Sequence, residues 1–143
     1  WMDVKYEPGT VKVVAYNEAG EAVAEEQVCT AGKPHHIELS VDRAAIKADG
    51  RDLAFVTVRV VDKDGNLCPN ADNLIRYSVK GAGSYRAGAN GDPTSLELFH
   101  VPQMHVFSGM MTAIVQSNET PGTITLTATA KGLKSATISV KTL

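Results

Sequence analysis

Apolar and polar side chains alternate with a period of two between Leu53 and Lys80. Val56, Val58 and Val60 take one side and Thr57 and Arg59 the other; further on, Ile75, Tyr77 and Val79 alternate with Arg76, Ser78 and Lys80. A period of two predicts strands with one buried face. Between the two runs, Asp62-Lys63-Asp64-Gly65-Asn66 and Pro69-Asn70-Ala71-Asp72-Asn73 supply turn chemistry. The same reading along the chain predicts strands over Met2–Tyr6, Val11–Tyr16, Ala22–Cys29, His36–Val41, Leu53–Val61, Leu74–Val79, Tyr85–Ala87, Met104–Val106, Met110–Gln116, Thr123–Ala130 and Ala136–Thr142. Turn residues recur every eight to twelve positions or so, as in all-β sandwiches. Only Val41–Ala48 has a helical look, that of a short turn stopped by Asp49-Gly50.

An internal repeat divides the chain. Pro121-Gly122-Thr123-Ile124-Thr125-Leu126-Thr127-Ala128 echoes Pro8-Gly9-Thr10-Val11-Lys12-Val13-Val14-Ala15. Ile124 matches Val11, Leu126 matches Val13, and Ala128 matches Ala15; each run is followed by a glycine turn and a second alternating strand. The later copy reads as the last hairpin of a sandwich, so the earlier one reads as the end of a preceding sandwich. The expected fold is all-β: an immunoglobulin-like β-sandwich over residues 35–143, preceded over residues 1–34 by the terminal strands of another immunoglobulin-like module. The boundary falls near Gly32-Lys33-Pro34. Three strands with one apolar face are marginal alone. Residues 1–34 are therefore expected to pack on the second domain, to pair with another copy, or to belong with partners elsewhere. An open edge there invites self-association.

Charge and composition narrow the function classes. The net charge is −2 and no Lys/Arg cluster occurs, so no nucleic-acid partner is expected. There is no apolar run of about eighteen residues, so no membrane span is expected. The start, WMDVKYEPG, lacks the basic and apolar regions of a signal peptide. Cys29 and Cys68 are too few for a disulfide scaffold and read as two unpaired thiols.

Candidate chemistry is sparse. In Asp62–Asn66 the glycine is fourth and the twelfth residue is Asn73, whereas a calcium loop of the EF-hand type needs Gly at its sixth position and Glu at its twelfth; a turn is expected. His35 and His36 face opposite ways if the segment is extended, and His100 and His105 lack zinc spacing. No Gly-x-Ser-x-Gly elbow and no facing carboxylate pair stand out. No cofactor or metal is expected. The strongest site candidate is the long loop Gly81–Val101, whose Tyr85, Asn90, Asp92, Thr94 and Phe99 are the candidate ligand-binding residues. Short polar groups in Asn90–Ser95 suit sugar hydroxyls or a cation, and Tyr85, Phe99 and the nearby Phe107 suit a pyranose face. The competing reading is that Asn, Asp, Thr and Ser bond their own backbone and hold the loop. Trp1 reads as hairpin packing or as a sugar platform.

Several segments resemble a known family. Trp1–Gly9, Val11–Tyr16 and Thr30–Pro34 resemble the end of an immunoglobulin-like module in bacterial β-galactosidases of glycoside hydrolase family 2. Leu39–Arg43, Lys47–Leu53, Val61–Asn66, Asn90–Glu97 and Phe107–Gly109 resemble the C-terminal module that follows it, with Asn90-Gly91-Asp92-Pro93-Thr94-Ser95 the most specific part. Ala48-Asp49-Gly50, Asp64-Gly65-Asn66 and the Pro121–Val140 hairpin also resemble bacterial adhesin repeats. The resemblance implies a non-catalytic accessory segment of a larger periplasmic or secreted sugar-cleaving enzyme, since the family's catalytic acid and nucleophile match no position here. Its expected partners are the other domains of that enzyme, and its expected role is structural and positioning. The alternatives are a carbohydrate-binding module using the 81–101 loop and an adhesin-type spacer or protein-interaction domain. One Trp and 6% aromatic residues favour the structural role, because sugar-binding faces are usually aromatic.

Overall fold

The computed structural model describes residues 2–143; Trp1, and with it both readings of that residue, lies outside the described residues. The described chain is all-β. Its strands are β1 (Thr10–Tyr16), β2 (Ala22–Cys29), β3 (His36–Val41), β4 (Ala45–Ile46), β5 (Leu53–Val61), β6 (Leu74–Gly81), β7 (Gly83–Ala89), β8 (Gln103–His105), β9 (Met110–Ser117), β10 (Gly122–Thr129) and β11 (Ala136–Thr142). Strands β3–β11 form two sheets, one ordered β4-β11-β10-β6-β8 and the other β3-β5-β9-β7. Strands β1 and β2 form a separate antiparallel hairpin.

The alternation seen in the sequence becomes a two-sided core. Val56, Val58 and Val60 of β5 and Ala113 and Val115 of β9 come from one sheet. Ile75 of β6 and Ile124, Leu126 and Ala128 of β10 come from the other, and all belong to one continuous cluster. Burying each large aliphatic side chain there stabilises the fold by roughly 1.5–3 kcal/mol. The chain crosses between the sheets with a single residue, Ala82, between β6 and β7. The corner demands glycine on both sides. Gly81 has φ +92° and a Cβ there would strike the Thr123 carbonyl oxygen; a Cβ on Gly83 would strike the Gln116 carbonyl oxygen.

Three expected elements differ. Met2–Tyr6 is not a strand, so among the described residues the segment up to Gly32 holds two strands rather than three. No neighbouring strand pairs with this segment, Asp3 has φ 61°, and Met2, Val4 and Tyr6 are exposed. Val41–Ala48 forms no helical turn. Ile46 enters the core, β4 pairs in parallel with the end of β11, and the Asp52 carboxylate accepts the Lys47 N–H at 2.9 Å, holding the segment extended. The strand expected over Tyr85–Ala87 is present and longer, because β7 pairs with β9 from Gly83 to Ala89 with a bulge between Tyr85 and Ala87, so less of Gly81–Val101 is loop than expected.

The two copies of the repeat fold alike and differ in what covers them. Ile124, Leu126 and Ala128 are buried at 0–1% exposure. Their counterparts Val11 and Val13 are 63% and 47% exposed, and Ala15 is exposed too.

Candidate functional site

Two surfaces carry the functional question, the loop after β7 and the bare face of the β1–β2 hairpin. The loop begins at Asn90, whose side-chain N–H donates to the His105 carbonyl at 3.0 Å and whose Oδ1 accepts the Asp92 N–H at 3.1 Å. The Asp92 carboxylate accepts the Thr94 hydroxyl at 2.7 Å and the Thr94 N–H at 2.8 Å. Those two donors, the hydroxyl first, hold the Asp92 carboxyl below its ordinary value. The Ser95 hydroxyl accepts the Glu97 N–H, and the Glu97 carboxylate in turn accepts the His105 N–H at 3.1 Å and lies 2.9 Å from His105 Nδ1. Thus Asp92 and Thr94 direct their hydrogen bonds into the loop itself, and Asn90 ties the loop to β8. This is the self-bonding that short polar side chains offer a turn.

Tyr85 and Phe99 are brought together from the two ends of the segment. The Phe99 carbonyl accepts the Gly88 N–H at 2.8 Å and the Tyr85 hydroxyl at 3.5 Å. The Tyr85 ring stacks on Tyr77 at 5.5 Å with 18° between planes. Burial pushes the Tyr85 phenol up to about 12 and moves the Tyr77 phenol up as well; the Tyr77 hydroxyl points at Met111 Sδ, 2.9 Å away. One face of Tyr85 is therefore committed to Tyr77, while the Phe99 side chain stays 62% exposed. Leu96 and Leu98, on the same loop, are exposed as well. The sequence reading did not single them out, because an isolated leucine in a polar loop gives no sign of which way it faces.

The hairpin face is simpler. Val11, Val13 and Ala15 on β1 stand opposite Val28, Glu26 and Ala24 on β2. Between the base of the hairpin and the loop joining β5 to β6 lies a cleft of about 1200 Å³, with Val11, Glu26 and Val28 of the hairpin and Leu67 and Pro69 of the loop among its lining residues.

The linker that follows the hairpin is tied to the sandwich by a group the sequence placed only in a turn. The Asp62 carboxylate is buried and accepts N–H groups from Gly32 at 2.7 Å and from Asp64 and Asn66 at 2.9 Å, with the Asn66 side-chain amide at 3.1 Å. The Gly32 N–H, followed by the Asn66 amides, holds this carboxyl far below the usual carboxylate range against the opposing effect of burial. Asp62 thus fastens the linker to the end of β5. Next to it, the His35 and His36 rings meet edge to face, with their Nδ1 atoms 3.0 Å apart. They do not point to opposite faces, because His35 precedes β3. Among the described residues, no group of three or more His, Cys, Asp or Glu side chains is placed to hold a metal ion. Cys29 and Cys68 are free thiols.

Comparison with known proteins places these features in context. Residues 37–139 match the family model described as glycoside hydrolase family 2 C-terminal domain 5, and residues 1–24 match a domain of unknown function, DUF4982. The chain is 48% identical over 137 residues to the β-galactosidase BoGH2A of Bacteroides ovatus, covering 96% of this chain and 16% of that protein. Among solved structures, it superposes on a family 2 glycosyl hydrolase from Bacteroides cellulosilyticus with TM-score 0.88 at 34% identity, covering 98% of this chain and 18% of that one. A β-glycosidase from Bacteroides vulgatus gives TM-score 0.91 at 27% identity, again over 96% of this chain and 18% of the other. The chain therefore spans under a fifth of the length of these relatives.

Proposed function

We propose, from the premise that this chain belongs to the glycoside hydrolase family 2 C-terminal domain 5 family, that it is a non-catalytic module that packs against and orders the C-terminal end of a larger β-galactosidase-type enzyme. The observation that carries this reading is the uncovered hairpin. Val11, Val13 and Val28 form a largely apolar, exposed face, broken only by Glu26 opposite Val13, of the kind that marks a contact surface. The β10–β11 hairpin shows what the same pattern does when a second sheet lies over it. The match of residues 1–24 to a different family model from residues 37–139 supports assigning the hairpin to a preceding module of the same polypeptide. The working units are then residues 1–34 and 35–143. The Asp62–Gly32 bond anchors the linker between them to the end of β5. The family context implies a periplasmic or secreted setting.

A catalytic role is not part of this reading. No residue carries the family's acid or nucleophile, and the two tyrosines with raised values are engaged in packing rather than facing a cleft. The carbohydrate-binding alternative, with Tyr85, Asn90, Asp92, Thr94 and Phe99 as its site, has in its favour the exposed Phe99 ring beside a polar loop. Against it stands the inward hydrogen bonding of Asn90, Asp92 and Thr94, since a sugar would have to displace bonds already made.

Deleting residues 36–143 from the full-length polypeptide tests the proposal. The expected result is a lower melting temperature or an altered oligomeric state. Unchanged melting, assembly and polymer turnover would remove the structural reading. Affinity electrophoresis through gels of galactose-rich polysaccharide separates the alternative: free migration is expected, and retardation abolished by Asp92→Ala would establish the sugar site instead.

A further inference from the structure

The loop between β7 and β8 is turned inside out relative to an ordinary surface segment. Its polar side chains bond inward: Asn90 to the His105 carbonyl, Asp92 to Thr94, and Glu97 to both the backbone and the ring of His105. Its large apolar side chains face outward: Leu96 is 95% exposed, Leu98 61% and Phe99 62%. Leu96 and Leu98 flank Glu97, so the inward pull on Glu97 leaves both leucines on the outer side. Phe99 follows at the tip of a turn closed by the Val101 N–H donating to the Leu98 carbonyl at 3.3 Å. The clamp at His105 and the Phe99 carbonyl's bond to Gly88 on edge strand β7 hold this tip in place.

We propose that Leu96, Leu98 and Phe99 are docking anchors that insert into an apolar groove on the remainder of the same polypeptide. The inference rests on the reading of the chain as a module of a larger enzyme. Three observations select this occupant. Large apolar side chains gathered on one exposed loop mark a contact surface. The loop is preorganised by its own hydrogen bonds, so docking orders little that is not already ordered. Three side chains offer far less than the roughly 800 Å² per partner that a free, stable complex buries, which argues against a second copy. A tethered partner needs much less, because linkage supplies an effective concentration in the millimolar range. In relatives of this chain, more than four-fifths of the polypeptide lies outside the matched segment. A sugar ligand fits less well, since the polar groups that would recognise it are occupied within the loop.

Hydroxyl-radical footprinting of the full-length polypeptide, compared with the 143-residue chain, tests this residue by residue. The expected result is a fall in labelling of Leu96, Leu98 and Phe99 in the full-length protein, about ten-fold for Leu96 if it becomes as covered as a core residue. Val11 and Val28 fall with them. A Leu96→Lys, Leu98→Lys double variant should restore labelling of Phe99 in the full-length protein, while shifting the melting of the 143-residue chain by no more than a few degrees because both side chains are already mostly in water. If Val11 and Val28 are protected and the loop is labelled at the isolated rate, the docking proposal falls and the structural reading stands. If neither surface is protected, both fall. Loop protection that grows with protein concentration would assign the surface to a second copy. Protection seen only on adding galactan would assign it to sugar. Either outcome would overturn the proposal.

Discussion

Replacing the directly opposed pair Val11 and Val28 by alanine separates a covered hairpin from a bare one. The double substitution removes four methyl groups, worth about 0.8 kcal/mol each when fully buried, or roughly 3 kcal/mol together. In the isolated chain the two side chains are 63% and 70% exposed, so only about a third of that, near 1 kcal/mol, is realised. If the rest of the preceding module covers the hairpin, the full-length polypeptide realises nearly all of it. At about 2–4 °C per kcal/mol for a unit of this size, that is a drop of roughly 10 °C against a few degrees. Ile124→Ala, at the matching position of the β10–β11 hairpin, provides the scale: it is fully buried and should cost about 2–5 kcal/mol in either context. The assay is thermal unfolding of both variants in both contexts, with Ile124→Ala as the internal standard. Equal, small losses for the valine pair in both contexts would refute the argument, because the hairpin would then be bare in the whole protein too.

Asp62→Ala should free the Gly32 N–H, raising its hydrogen exchange while the β5 and β9 amides stay protected. Because the folded-state value of Asp62 is depressed, its stabilisation is present above the unfolded value of about 4 and is lost as pH falls below it; wild type and Asp62→Asn should therefore converge in stability in acid. Tyr77 and Tyr85 shift the other way: their stabilisation is present below about 10 and is lost as pH rises toward the folded values. An ultraviolet titration should show Tyr85 ionising near 12, and Tyr85→Phe should remove that step. Gly81→Ala should destabilise by more than about 1–2 kcal/mol, measured by denaturant unfolding, because it joins a left-handed φ to a backbone collision.

Much of this fold was legible because most strands bury one side and wet the other. Val56-Thr57-Val58-Arg59-Val60 and Ile124-Thr125-Leu126-Thr127-Ala128 announce themselves by alternation alone. The repeat also exposed β1–β2 as a hairpin although its valines stay exposed, since its pattern anticipates a partner. Met2–Tyr6 carried a similar pattern without a neighbour to pair with, and stayed irregular. Strand β4 was hidden because two residues have no period; the burial of Ile46 and its pairing with β11 create it. Strand β7 was legible only as the short piece Tyr85–Ala87, because its glycines and alanines give little alternation until β9 lies alongside. The loop was harder still. Its composition permits both a ligand site and a self-bonded turn, and only the directions of Asn90, Asp92 and Glu97 distinguish them. Leu96 and Leu98 gained meaning once those polar groups were seen to face inward.

Scanning calorimetry tests the central claim most directly, comparing the isolated chain with the full-length polypeptide that carries it. If the chain is a structural module completed by its neighbours, its unfolding in the full-length protein is coupled to theirs and occurs at a higher temperature than in isolation. An independent transition at the same temperature in both contexts would contradict that claim and describe a spacer.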